Sequence, residues 1–431
     1  MKKFYFLALI AFLAGACAKN GQTGPSGEQS AISDSIRILT SPDQNAEAVF
    51  LYNNGKDIII NWTQQDEHDR KNNLLRYAFF DYKTHAFDSI RTVPASRGLQ
   101  LHVESMAKMA MDKAGKLWAV YRKKSPNDRS RFGGHLYYVI SNDSGRTWSD
   151  EYKLMKDTTS TSQSFYDVAL LPNGRIGLTW LDSRSKRRGK TLYLAQTDSA
   201  GLFSIQKPVA FSTCECCRTE LYVDPRGRIH IAYRNLIEPD EEGFDGKGDV
   251  EIRDMYYLYS KDTAKTFTKP VPISRDNWHI YGCPHTGPSL AWNGKALGAV
   301  WFTAAHNQPG IFFTTGHDGQ FNPRTLLSKE GRHPQMIALG GKYYAVYEEY
   351  YEKDGKGYYR IVLDVMDGEG HRKRYEISAP LTKNDHAVLT PVDDKHILVA
   401  WVNTDTRHPK IEYRMLPVDD LSKWALDEKN F

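Results

Sequence analysis

No part of this 431-residue chain carries apolar residues at helical spacing over any length, which leaves strands as its repeating element. No apolar run reaches the ~20 residues a membrane helix needs. The one near the start, Phe4 to Ala16, falls short. Net charge is modest at +5, and no extended basic run marks a nucleic-acid surface. Lys186-Arg187-Arg188 reads as a solvated loop triplet. Cysteine is scarce, five in all, and four of these fall in two short segments beyond residue 200.

Aromatic residues are plentiful, with 25 Tyr and 9 Trp, and large flat side chains favour pleated, half-buried strands. One pattern recurs seven times at roughly even intervals. A turn Gly or Asp is followed by Lys or Arg, then by an apolar strand that reaches Trp or Tyr. The copies are Gly55-Lys56 to Trp62, Gly115-Lys116 to Tyr121, Gly174-Arg175 to Trp180 and Gly227-Arg228 to Tyr233. They continue as Gly294-Lys295 to Trp301, Gly341-Lys342 to Tyr347 and Asp394-Lys395 to Trp401. Short apolar runs flank each copy. A repeat of this length with all-strand content predicts an all-β propeller of four-stranded antiparallel blades, seven of them. The seventh repeat lacks a clear fourth strand after Ile411-Glu412-Tyr413-Arg414, and Ser35 to Ser41 is placed to supply it and close the ring.

Ser141-Asn142-Asp143-Ser144-Gly145-Arg146-Thr147-Trp148 reads S-x-D-x-G-x-T-W. The Asp can hydrogen-bond the following backbone, the Gly admits a positive φ, and the Trp offers area to bury. It resembles the Asp-box of sialidases and related β-propellers (the BNR repeat), at all five defining positions. Ser260 to Phe267 is a copy with Ala264 for Gly; Gln196 to Phe203 and Asp318-Gly319 are remnants. The resemblance implies a sialidase-like propeller, whose six-bladed form is the alternative to seven. The motif joins third and fourth strands, so it lies on the face of the first-to-second turns. Function is therefore expected at the opposite mouth.

Residues at first-strand starts and second-strand ends converge on that mouth. They are His102 and Glu104, Tyr166 and Asp167, Arg218, Arg332-His333 and Asp385-His386, with Arg122, Asp182, Arg184, Arg234 and Glu348. Asp167, Asp182, Glu104 and Glu348 are the expected catalytic acids, since paired carboxyls serve as general acid and base. Arg122, Arg184, Arg218, Arg234 and Arg332 are the expected substrate-binding set, because a guanidinium grips a carboxylate with two parallel hydrogen bonds. The sialidase resemblance implies three such arginines, a Tyr nucleophile and an Asp. The first family arginine sits in an aromatic-Arg-Ile-Pro motif. The nearest text, Ile36-Arg37-Ile38-Leu39, lacks the aromatic and the Pro. Tyr256-Tyr257 is the nearest source of a Tyr nucleophile.

Cys214-Glu215-Cys216-Cys217 and Gly282-Cys283-Pro284-His285 are open to three readings, one of which is free thiols or redox chemistry. An even count in an oxidising compartment suits disulfides between adjacent blades. Thiolates with His285, and with His102, His333 or His386, suit Cu or Zn as a cofactor.

The first residues, Lys2-Lys3 and the apolar run ending Leu13-Ala14-Gly15-Ala16-Cys17, resemble a bacterial lipoprotein signal. That implies residues 1–17 as signal peptide, Cys17 as lipidation site, 18–34 as flexible tether and 35–431 as one propeller. The resulting expectation is a lipid-anchored protein of the cell envelope, facing periplasm or exterior. Its ligand would be an acidic glycan, sialic or uronic, bound at the mouth, with no nucleic-acid partner. As an enzyme it would be an exo-glycosidase of sialidase type. The alternatives are a metal or redox propeller and a non-catalytic glycan- or protein-binding one.

Overall fold

The computed structural model describes residues 34–124, 133–155, 162–185, 187–237, 251–280 and 282–426. The predicted signal, Cys17 and nearly all of the tether lie outside the described residues. The chain from Asp34 onward is one compact unit.

Seven antiparallel sheets of four or five strands follow one another along the chain, besides a two-stranded ribbon of Glu251–Ile252 with His279–Ile280, so the fold is an all-β, seven-bladed propeller and the six-bladed alternative is set aside. The innermost strands are Ala46–Asn53, Lys108–Met111, Gln163–Leu170, Glu220–Val223, Ser289–Trp292, Gly331–Leu339 and Asn384–Pro391, for blades 1 to 7. Among the described residues the only helical pieces are three single turns. Arg37–Ile38 pairs with Tyr413 and Glu412 as the outermost strand of blade 7. The start of the chain thus closes the ring, as the missing fourth strand requires.

Each of the seven repeated segments forms the second strand of a blade. The aromatics they reach, Trp62, Tyr121, Trp180, Tyr233, Trp301, Tyr347 and Trp401, are all at most 1% exposed. Burying an indole or phenol also buries its polar tip, which then needs an acceptor. Trp180 Nε1 donates to Asp182 (2.9 Å), Trp301 to Asp276 (2.8 Å) and Trp401 to Glu412 (3.2 Å). Tyr121 donates to Glu151 (2.7 Å).

The S-x-D-x-G-x-T-W turn joins the third and fourth strands of blade 2. Ser141 Oγ donates to Asp143 (2.7 Å) and accepts from Gly145 N (2.8 Å). Asp143 accepts from Thr147 N (2.9 Å) and Thr147 Oγ1 (2.6 Å), and these bonds lower its pKa to about 2. The Ser260 copy in blade 4 repeats all four bonds, with Ala264 at φ +62° where Gly145 sits at +87°. Trp148 packs edge-on against Tyr77 of blade 1 (6.1 Å). Gly115, in the first-to-second turn of blade 2, lies against Ser144. Both kinds of turn therefore share one face.

At the other face, the innermost strands of blades 1, 3, 6 and 7 begin with a bulge. The left-handed residues there are Ala48, Phe165, His333 and His386, at φ +46° to +55°. Two residues further along, every innermost strand pairs with the residue that precedes the buried aromatic. That register defines one equivalent position in all seven blades: Phe50, Lys108, Asp167, Glu220, Ser289, Gln335 and Val388. These side chains form a tier around the axis. Below it lies an axial cavity of about 620 Å³, which all seven line and which reaches Asn54 and Pro225 of the first-to-second turns.

Candidate functional site

The tier is polar where an apolar core would be expected, so its charges must be paired internally. Lys108 Nζ lies 2.5 Å from Asp167 Oδ1, with both side chains at most 7% exposed. The other oxygen of Asp167 accepts from Leu221 N (2.7 Å). Glu220 accepts from Ser289 Oγ (3.3 Å) and lies 3.8 Å from Arg218 Nη1. Burial, with Asp167 beside it, pushes the Glu220 carboxyl up to about 7. Arg218 occupies the layer above the tier, level with His333 and His386. It donates to Glu104 (3.3 Å) and Pro334 O (3.3 Å). Gln335, with its amide oriented to satisfy its neighbours, accepts from the same guanidinium (2.7 Å). This layer separates the mouth from the axial cavity.

In the same layer, blades 2, 6 and 7 bring three carboxylates, Glu104, Glu348 and Asp385, onto two histidines. His333 and His386 stack with ring centroids 4.0 Å apart. His333 Nδ1 hydrogen-bonds Glu348 and lies 3.7 Å from Asp385 Oδ1. His386 Nδ1 is 2.6 Å from the same Asp385 oxygen, and its Nε2 is 3.5 Å from Glu104 Oε1. Neither ring nitrogen of His386 meets these oxygens in hydrogen-bonding geometry, and Glu348 Oε2 is likewise buried without a partner. The carboxylates, Glu348 first, outweigh burial and hold the His333 imidazole well above its ordinary pKa. Asp385 and Glu104 are held below theirs: burial alone would raise both, but the histidines beside Asp385 and Arg218 beside Glu104 prevail. His102 faces His285 (5.6 Å between rings) and Phe165 (5.2 Å). Burial and His285 bring its pKa down to about 4. The site therefore holds an imidazolium and a neutral imidazole at neutral pH. Arg332 and His285 are exposed at the rim, and the Asp385 side chain is 39% exposed.

Several expected site residues are committed elsewhere. Asp182 is fully buried and accepts from Trp180 Nε1, Gln163 Nε2 (3.2 Å), and Arg184 N and Nη2 (2.9 and 2.8 Å). Three of these donors fall on Oδ2 and one on Oδ1, which ties the buried carboxylate to its own blade. Asp167 is closed by Lys108 and two backbone N–H groups. Arg184 stacks on Tyr193 (3.9 Å). Arg234 donates to Arg253 O (2.9 Å) and Phe302 O (2.8 Å), and Arg122 Nε to Gln163 O (2.8 Å). These three arginines, like buried Arg218, brace the fold. Among the five, Arg332 alone is exposed. Arg37 sits in the closing strand and donates to His85 O (2.7 Å). Tyr256 and Tyr257 are buried strand residues, and the Tyr257 hydroxyl is 2.7 Å from His230 Nδ1. Lys108, Glu220 and Gln335 escaped the sequence reading. Aligning the first strands on the buried aromatics of the second strands would have found them.

Four side-chain groups among the described residues could hold a metal; two of them, His333 with Glu348 and Asp385, and Asp367 with Glu369 and His371, are partly or fully open to solvent. Glu104, His333 and His386 offer ligand atoms within 4.8 Å of one another, as do Cys214, Cys216 and Cys217. The described cysteines form no disulfide. The first three are buried together, whereas Cys283 is exposed and joins none of the groups, and the same holds for His285.

No protein-family model and no curated protein sequence matches the chain. Solved structures do match. A polysaccharide lyase, an ulvan lyase bound to -[GlcA(1-4)Rha3S]-, is 13% identical with a TM-score of 0.53, covering 91% of this chain and all of the other. A protein of unknown function from Dyadobacter fermentans is 15% identical (TM-score 0.49; 73% and 94% covered). The NanB sialidase of Streptococcus pneumoniae is 11% identical (0.45; 85% and 84%). At such identities the likeness is one of fold alone, a β-propeller.

Proposed function

We propose that this propeller cleaves an acidic glycan at its mouth, and that histidines rather than a carboxyl pair move the protons. One observation carries the reading: His333 is clamped between Glu348 and Asp385, with exposed Arg332 beside it in sequence, while blade 2 brings His102 to the same end of the blades. An imidazolium held charged by carboxylates is a general acid, and a neutral imidazole is a base. Arg332 supplies a fork for a sugar carboxylate.

That combination suits β-elimination from a uronate. The base takes the C5 proton, electrons move to form the C4–C5 double bond, and the acid protonates the departing O4 glycosidic oxygen. Hydrolysis of sialidase type needs a Tyr nucleophile and an acid/base carboxyl at the bond, and Tyr256 and Tyr257 are buried strand residues. Here Asp167 and Asp182 are closed, and Glu104 and Asp385 are held ionised. The glycan ligand of the ulvan lyase, which contains glucuronate, is consistent with this substrate class. The N-terminal segment, with Cys17 as lipidation site, supports the reading of an exported, lipid-anchored protein of the cell envelope.

Incubation with uronate polysaccharides and sialosides tests the reading. The expected result is a new C4–C5 double bond, seen by ultraviolet absorbance, that is lost in His333→Gln. Saturated products would return the protein to a sialidase-type hydrolase. Tight glycan binding with no product would leave a binding propeller and overturn cleavage.

A further inference from the structure

The Cys214–Cys217 segment lies where blade 3 passes to blade 4, away from the histidines of the mouth in its partners. Cys214 N donates to Arg234 O (2.9 Å), which fixes the segment to the end of the second strand of blade 4. Cys214 Sγ is 3.7 Å from Cys216 Sγ and 3.5 Å from Cys217 Sγ. All three are at most 6% exposed, while Glu215 between them is exposed.

These separations are contacts, not bonds, because a disulfide brings its sulfurs to about 2.05 Å. Thiolates on one ion at about 2.3 Å stand roughly 3.8 to 4.0 Å apart in regular tetrahedral or trigonal geometry. Three cysteines also leave one unpaired by any disulfide among them, and Cys283 is exposed and outside the group. Arg253 Nη1 lies 3.2 Å from Cys214 Sγ and 3.9 Å from Cys216 Sγ. A guanidinium only donates, so the sulfur facing it accepts, as a thiolate does. Arg234 adds a second positive charge acting on Cys214 and Cys217.

We infer that Cys214, Cys216 and Cys217 form a three-coordinate site for a soft monovalent ion, Cu(I). Among the described residues no His, Asp or Glu joins the trio as a fourth ligand. Soft thiolates select Cu(I), zinc or iron–sulfur clusters, and structural zinc and the clusters almost always call for four protein ligands where this site has three. Charge agrees: three thiolates and Cu(I) sum to −2, and Arg253 and Arg234 face them. Binding involves no redox step. The ion enters as Cu(I), and those thiols not already ionised release their protons. The site does not depend on the glycan reading.

The test uses the full chain, purified anaerobically under reducing conditions and titrated with Cu(I) against the competing chelator bicinchoninate. One Cu(I) per chain is expected, with thiolate-to-copper absorption in the ultraviolet. Stoichiometry is unchanged in Cys283→Ser and lost in Cys214→Ser and Cys217→Ser. Arg253→Ala weakens retention about tenfold while leaving the count at one. Thermal unfolding of the wild type and Cys283→Ser, each with and without one equivalent of Cu(I), gives a readout that needs no change in the trio. A rise of several degrees is expected in both. The inference is overturned if the wild type holds no Cu(I) against the chelator, or if bound Zn(II) resists displacement by Cu(I). It is also overturned if one equivalent of Cu(I) protects none of the four thiols from alkylation.

Discussion

His333 and His386 stand face to face, their ring planes 19° from parallel, because each occupies the left-handed bulge position of its own blade and the two blades are neighbours. Both rings share the single oxygen Asp385 Oδ1.

The stack makes stability depend on pH. The folded pKa of His333 is raised, so its contribution is complete below the unfolded value of about 6.5 and is lost as pH rises through the folded pKa. Asp385 and Glu104 are shifted down, so theirs is complete above roughly 4 to 4.5 and is lost as pH falls. Maximal stability is expected near pH 5 to 6.5. In His333→Gln the decline above pH 6.5 flattens. Thermal midpoints from pH 3 to 10 check this, and an unchanged alkaline limb in the variant would count against it.

Lys108 and Asp167 make a second prediction, which also separates bracing from catalysis. Removing one partner of a buried ion pair strands the other charge and costs about 3–5 kcal/mol. Lys108→Met is expected to lose that amount in urea unfolding, and Lys108→Met/Asp167→Leu to recover most of it. A double variant no more stable than the single would show that the tier depends on its charges for packing.

The architecture could be read in the sequence where the signal was local. Seven strands ending in a buried aromatic, the missing strand of blade 7 and the bonded turn at Ser141 each declare themselves within about ten residues. The mouth could not be read to the same depth. Sequence places Asp182 and Arg234 at second-strand ends, but the Trp180 indole claims the first and the carbonyls of Arg253 and Phe302 claim the second. Of the tier residues that escaped, Gln335 follows a bulge that shifts the alternation of its strand, whereas Lys108 and Glu220 sit in short unbulged strands whose axis-facing positions show only in the register with the second strand. Cys283 was paired with the trio on blade adjacency alone, which says nothing of where a loop side chain ends.

Gly145 carries a third prediction. It sits at φ +87°, and a Cβ there would lie 2.0 Å from the Tyr77 hydroxyl. Gly145→Ala is expected to cost about 1–3 kcal/mol through the left-handed strain and the collision together. Tyr77→Phe removes the colliding atom, so the double variant should be less destabilised than the sum of the singles. Additive losses in a double-mutant cycle would contradict the collision.

Arg332, exposed above His333, should act on binding rather than on the chemical step. Arg332→Ala is expected to raise KM for a uronate substrate about tenfold, or about 1.4 kcal/mol, with kcat little changed. A fall in kcat at constant KM would move the arginine into the transition state instead.

The contact of Glu104 with Arg218 and His386 draws together blades 2, 4 and 7, residues that lie far apart along the chain. Such pairings pay their loop-closure entropy before any contact rewards them, so they form late and slowly. A chain still lacking its last blade has strands and turns but no charged layer over the axis. During synthesis the reactive histidines are therefore kept apart until the final strands arrive, and the mouth comes into being in one step, together with the closing of the ring.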